Sequence, residues 1–271
     1  MLYLILAACG AASGLTTVLF GFGGGFVVVP LLYHMLKTTY GESHIIGQSA
    51  MHIAVATSTC VMIVNAVIAS RRHARAGNLD TSYLWPLAGY ISIGAVLGAG
   101  AAVLASGTVV RIAFIAYLAL TIMDCALRRG FLQQPAQARP QALGMLKTTG
   151  GGVVIGLIAT FLGVGGSVMT VPLLRRCGLS MTQASAMANP LSLPVAIAGT
   201  LTYMVLAWYQ PVGLRAGYIG YIDLMAFTVL TLGALVGMRC AGPLIGRMPD
   251  RMHARIYLGL LLMVLVSMLA G

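Results

Sequence analysis

The chain predicts an all-α polytopic membrane protein of two inverted repeats, each a glycine-broken helical hairpin followed by about three spanning helices. Three observations predict it. Apolar residues make up 59% of the chain and charged ones 8%, against about 25% charged in soluble domains, so there are too few polar residues to cover a water-facing surface. Ten apolar segments follow one another, with no polar block between them large enough for a soluble domain. Finally, one stretch is written twice. Gly14-Leu-Thr-Thr-Val-Leu-Phe-Gly21-Phe-Gly-Gly-Gly-Phe-Val-Val-Val-Pro30-Leu-Leu32 returns 142 residues later as Gly156-Leu-Ile-Ala-Thr-Phe-Leu-Gly163-Val-Gly-Gly-Ser-Val-Met-Thr-Val-Pro172-Leu-Leu174.

The first repeat, residues 1–127, holds apolar segments at roughly Leu2 to Phe20, Phe26 to Leu36, Gln48 to Ser70, Tyr83 to Ala105 and Thr108 to Leu127. The second, residues 146–271, holds segments at roughly Leu146 to Phe161, Val168 to Leu174, Gln183 to Ala207, Asp223 to Cys240 and Ile256 to Leu269. Residues 128–145 between them are polar, carry Pro135 and Pro140, and read as a cytoplasmic linker. The segments after the two glycine clusters are too short to span. Eleven helical residues reach about 16 Å, against a hydrocarbon core of about 30 Å, so each cluster reads as the tip of a returning hairpin.

Charge orients the chain. With Met1 outside, 13 of the 16 basic residues fall in cytoplasmic loops, and only Lys37, Arg111 and Arg215 fall on the other side, the asymmetry that orients spans during insertion. Both termini are therefore expected in the periplasm. Each half then crosses an odd number of times, so the two similar halves are inverted relative to each other. The similarity continues past the hairpins: Ala54-Val-Ala-Thr57-Ser58 aligns at an offset of 130 with Ala184-Ser-Ala-Met187-Ala188, and Gly94-Ala-Val-Leu-Gly98 at an offset of 139 with Gly233-Ala-Leu-Val-Gly237. The net charge of +11 is topological. Nucleic acid is not an expected partner, since no basic run carries interleaved aromatics.

A helix broken at membrane depth survives only inside protein or against a wet cavity. Glycine allows the reversal and a close backbone approach to a ligand, and the first N–H groups of the following helix carry the positive end of its dipole. Two such tips entering from opposite faces suit a small anion at the midplane; close helix packing through small residues is the alternative use of the same glycines. Candidate substrate-binding positions are Gly23, Gly24, Gly25, Gly165, Gly166 and Ser167 at the tips, with Thr57, Ser58 and Asn189 on the helices behind them. Thr59, Asn65 and Ser192 are further hydroxyl and amide donors nearby. Pro30, Pro172 and Pro194 are read as structural, opening the backbone near the tips. No lysine, arginine or glutamate lies deep in a span.

Asp124, four residues before Arg128, reads as a local ion pair, and Asp223 as a helix-start residue. His34, His44 and His52 lack the spacing of a helical metal pair, so neither a metal nor a cofactor is expected. The five cysteines are scattered without a CxxC spacing and read as small core residues. No nucleophile, base and orienting acid converge, so an enzyme is not expected.

The twin glycine segments, Ala54-Val-Ala-Thr-Ser58 and Pro194-Val-Ala-Ile-Ala-Gly199 together resemble the TauE/SafE sulfite exporter family of bacterial and archaeal inner-membrane permeases. The resemblance covers nearly the whole chain. It implies a secondary transporter that moves sulfite or short organosulfonates, usually outward, by alternating access. The family's second half often has Thr-Ser where this chain has Met187-Ala188, which shifts weight to Thr57, Ser58 and Asn189. A passive anion channel is the alternative, and a transition-metal importer ranks third. Expected partners are a small anionic substrate and the lipid bilayer; a coupling proton or ion and self-association into a homo-oligomer stay open at this point.

Overall fold

The computed structural model describes residues 2–41, 43–128, 131–132, 144–209 and 217–270, the side chains of residues 2 and 206–209 excepted. The first half forms α1 (Leu2–Phe20), α2 (Gly25–Tyr40), α3 (Ile45–Gln48), α4 (Ala50–Arg75), α5 (Thr81–Leu104) and α6 (Gly107–Leu127). The second forms α7 (Met145–Leu162), α8 (Ser167–Arg176), α9 (Met181–Tyr209), α10 (Leu224–Ala241) and α11 (Asp250–Leu269). A short antiparallel ribbon of β1 (Tyr218–Ile219) and β2 (Ile222–Asp223) precedes α10. Among the described residues, eight helices are long and apolar enough to cross a membrane: α1, α4, α5, α6, α7, α9, α10 and α11. The chain is a multi-pass helical membrane protein.

The apolar runs locate these helices because hydropathy follows burial in lipid. The helix ends follow capping. Asp80 accepts from Ser82 N (3.0 Å) to start α5, and Asp223 accepts from Ala226 N (2.9 Å) to start α10, as expected for that residue. The second segment is longer than its apolar core. α2 runs sixteen residues, through Lys37-Thr38-Thr39-Tyr40, and ends where Gly41 N donates to Lys37 O. α8 keeps to ten residues, about 15 Å. Most of the 128–145 interval lies outside the described residues.

α4 and α9 form the centre, with 67% of each span buried. α2 packs on α4 and α8 on α9, and the remaining spanning helices pair across the two halves. α1 packs along α10, α7 along α5, and α6 against α11. Small residues allow the first two contacts. Gly10 and Gly14 of α1 face the carbonyls of Leu230 and Ala234, while Gly233 and Gly237 of α10 face those of Ala7 and Ala11. Likewise Gly94 and Gly98 face Val153 and Leu157 O, and Gly156 faces Ile91 O. A Cβ at any of these positions would overlap the opposing backbone. In lipid, where apolar burial does not drive helices together, such close packing carries association. Gly94 and Gly98 thus pack within the chain, whereas Gly100 has open space beside it.

One end of the bundle gathers the basic loops. There Arg176 meets Asp124 at 2.6 Å, and Arg175, 1% exposed, pairs with Asp250 while its Nε donates to Phe131 O (3.1 Å). The expected Asp124–Arg128 pair is present at 3.2 Å, with Arg176 as an additional partner. At the opposite end Arg111 donates to Met268 O (3.1 Å) and lies over the Tyr33 ring.

Candidate functional site

The two glycine segments meet. α1 stops at Phe20, and Gly21, Gly23 and Gly24 hold φ of 75°, 65° and 101°, reversing the chain into α2. α7 stops at Leu162, with Gly163 and Gly165 at φ 68° and 74° leading to α8. Side chains rarely adopt such values. Gly25 lies against the carbonyl of Gly163 and the Cα of Val164. The N-terminal turns of α2 and α8, whose leading N–H groups have no intrahelical acceptor, begin within this junction.

Met62 and Ser192 fill the space between the tips. A Cβ on Gly23 would lie 3.0 Å from Met62 Sδ; on Gly165 it would lie 2.8 Å from that sulfur and 3.1 Å from Ser192 Oγ. Met62 stands at the middle of α4 (Ala50–Arg75), so the tips meet halfway along the central helix. Ser192 holds the matching position of α9 at the offset of 130. The centre is therefore alike in backbone and unlike in chemistry, a thioether on one side and a hydroxyl on the other.

Behind the tips, hydroxyls and amides hold the backbone. Ser58 Oγ lies 3.0 Å from Gly163 O and 2.9 Å from Val55 O. Ser13 Oγ donates to Gly24 O (3.3 Å) and accepts from Asn65 Nδ2 (3.4 Å). Ser192 Oγ donates to Ala188 O (2.8 Å), and Asn189 Nδ2 to Ser185 O (3.2 Å). Pro172 cannot donate to Val168 O, four residues back. The Tyr257 hydroxyl approaches that carbonyl (3.5 Å) and Ser167 O (3.3 Å) instead. Pro30 takes the corresponding place in α2, and Pro194 lies inside α9.

Of the sequence-predicted positions, the structure brings together Gly23, Gly24, Gly25, Gly165 and Ser58. Gly166 and Ser167 start α8 beside Ile155 and Thr170, the nearest side chains to Gly166. Thr57 stands elsewhere, its Oγ1 accepting from Asp223 N (3.0 Å) at the end of the ribbon. Asn189 bonds one turn back on its own helix. Met62 and Ser13 were not singled out in the sequence, since an apolar methionine in a span and a serine in an apolar helix carry no distinguishing signal.

Several buried polar atoms around this centre have no partner among the described residues: the hydroxyls of Ser167, Thr160, Thr170 and Ser185, and Oδ1 of Asn65 and Asn189. Each such group costs about 1–3 kcal/mol if left unsatisfied, so the centre suits water or a polar solute. The side chains nearest the glycines of the tips, Met62, Asn65, Ser13, Val55 and Ser192, carry no charge. The polar groups that the centre presents are N–H dipoles, amides and hydroxyls.

The three histidines weighed for a metal lie apart in function. His34 Nε2 sits 2.8 Å from Ser267 O, His44 Nδ1 accepts from Ile46 N (3.1 Å), and His52 packs beside Tyr203 and Tyr221. Two buried histidines were overlooked: His73 and His253 are 1% and 3% exposed inside α4 and α11.

Comparison with known proteins gives a consistent picture. The family model described as Sulfite exporter TauE/SafE matches residues 6–268. A probable membrane transporter protein of Haemophilus influenzae is 24% identical over 98% of this chain and 97% of its own length. A probable membrane transporter protein of Methanocaldococcus jannaschii is 23% identical over 96% and 92%, and one of Xylella fastidiosa 27% identical over 63% and 62%. No solved structure matches.

Proposed function

Because the chain belongs to the TauE/SafE sulfite exporter family, we propose that this membrane transporter carries small sulfur-containing anions, sulfite or short organosulfonates, outward by alternating access around its paired glycine tips. The observation that carries the proposal is the meeting of Gly25 with Gly163 at the level of Met62. Two helix N-termini begin there beside unpaired hydroxyls. Such a junction attracts negative charge through oriented dipoles without a fixed cation. Binding without a buried lysine or arginine also leaves the anion free to depart.

The exchange of partners between halves, α1 with α10 and α5 with α7, supports an inverted-repeat assembly with domains 1–127 and 146–271. In this reading the basic end faces the cytoplasm of a bacterial inner membrane and both termini face the periplasm. Rocking of one tip-bearing unit against the other would open the junction to each side in turn. Gly23 to Gly25, Gly165 to Ser167, Ser58 and Asn189 form or back the site, while Thr57, bonded to Asp223 N, stands apart from it.

Solid-supported-membrane electrophysiology on proteoliposomes tests the proposal. Saturable currents to sulfite or sulfoacetate, lost in Gly24→Leu and reduced in the gentler Ser192→Ala, are expected. A non-saturating chloride conductance would establish the passive channel instead. Currents to nickel that depend on His34, His44 or His52 would establish the metal importer.

A further inference from the structure

Two crevices on the bundle exterior are related by the sequence repeat. One, of about 390 Å³, lies between α6, α7 and α8. The other, of about 280 Å³, lies between α1, α2 and α11. Their linings match at the offset of 142: Val168, Met169, Pro172 and Leu173 in the first stand where Phe26, Val27, Pro30 and Leu31 stand in the second. They differ at the mouth. Arg176 of the first is replaced at the matching place by His34, the one ionisable side chain lining the second, which already engages Ser267 O.

The first crevice has the shape and charge of a lipid site. Its rim residues Leu120 and Val154 are apolar and exposed, 61% and 48%, so it opens on the lipid-facing exterior. From Lys147 to Ile158 along α7 it rises about 16 Å, roughly one leaflet of a hydrocarbon core about 30 Å thick. Its inner end is Val168, in the first turn after the second glycine tip. At its mouth stand Lys147, Arg176 and Asp124, with Arg128 also on Asp124, leaving an excess of positive charge. Arg176 Nη2 is taken by Asp124, but its Nε is buried with no acceptor among the described residues. Basic pockets of this kind between membrane helices suit anionic head groups.

We propose that the crevice between α6, α7 and α8 binds an anionic phospholipid, one acyl chain lying along Ile158 and Val168 and the phosphate held by Lys147 and Arg176. The matching crevice, with His34 at its mouth, takes an acyl chain without preference for charge. Through Val168, the bound chain braces the helix that carries the second tip.

Native mass spectrometry of the detergent-purified full chain, loaded in turn with phosphatidylglycerol and phosphatidylethanolamine of identical acyl chains, tests this. Phosphatidylglycerol is expected to be retained several-fold more strongly. Lys147→Gln, which removes an exposed charge, should reduce that preference, and Lys147→Gln with Arg176→Gln should abolish it. His34→Gln should leave it unchanged. Gly151→Trp fills the crevice without a backbone clash, because nothing lies within 4 Å of an added Cβ, and should lower retention of the anionic lipid; an unshifted melting temperature checks its fold. Equal retention of the two lipids, a preference untouched by Lys147→Gln with Arg176→Gln, or displacement of the lipid by inorganic phosphate alone would overturn the proposal.

Discussion

His73 and His253, from opposite halves of the chain, hold neighbouring carbonyls of one helix end: Nε2 of His73 lies 2.8 Å from Val18 O, and Nε2 of His253 lies 2.8 Å from Leu19 O. A carbonyl only accepts, so both rings carry their proton on Nε2. Val18 and Leu19 belong to the last turn of α1, whose carbonyls have no intrahelical donor. The first glycine tip therefore hangs from a helix end secured by α4 and α11. His73→Ala and His253→Ala should each destabilise the protein by about 1–3 kcal/mol, the cost of an orphaned buried carbonyl. Thermal unfolding in detergent measures it, and the double variant should depart from additivity because the two carbonyls share one turn.

The glycine-lined contacts predict a contrast within a single helix. Gly98→Ala drives a Cβ into Leu157 O, whereas Gly100→Ala meets nothing within 4 Å. The first should lower stability by about 1–3 kcal/mol, as overpacking does. The second should leave the melting temperature unchanged or raise it slightly, since alanine is the better helix former by about 1 kcal/mol.

At the junction of the tips, Ser192→Ala removes the hydroxyl nearest Gly165. Its proton, which rests on Ala188 O, can turn to an anion between the tips; a hydrogen bond to a charged group contributes about 1.5–3 kcal/mol, so net of the bond given up the half-saturating anion concentration should rise roughly tenfold. Concentration series of transport currents measure it. Met62→Leu, which removes the sulfur and keeps the bulk, should change the affinity far less.

Cys177 closes the turn after α8 and is buried. Burial pushes its thiol pKa up, with Lys147 opposing. A raised pKa keeps the thiol protonated at neutral pH, and the reactive thiolate appears only as pH climbs through the raised value. In a variant retaining this cysteine alone, iodoacetamide labelling should still be accelerating above pH about 8.5, where an ordinary thiol begins to level off.

Most of the fold was legible because lipid selects strongly for apolar runs, and the ends of α4 to α11 fall within a few residues of the hydropathy limits, except that α11 begins at Asp250. Lys37 to Tyr40 extend α2 since helix hydrogen bonding continues after apolar character stops. α3 and the β-ribbon are too short to leave a periodicity. The tips themselves were readable, as repeated glycine at membrane depth has few uses. Their surroundings were less so. Ser58 carries its hydroxyl openly, but nothing local distinguishes Met62 from a lipid-facing methionine, and Thr57 acts on a ribbon 166 residues away in sequence. The spacing Gly10 to Gly14, repeated at Gly94, Gly152 and Gly233, was visible in the chain, but which spacing faces which depends on the crossed pairing of helices.

That crossed pairing sets the order of assembly during synthesis. α1 emerges first, yet the helix it packs along, α10, begins at Leu224. At 5–20 residues per second, a ribosome needs about 10–40 s to add the intervening chain of roughly 200 residues. Throughout that interval α1 sits in the bilayer with its glycine face uncovered, and α5 waits less long for α7. Because α1 and α5 each pack along a helix of the other half, a gene cut within 128–145 should yield two inserted but unfolded fragments that become a compact, protease-resistant protein only when both are made in the same membrane.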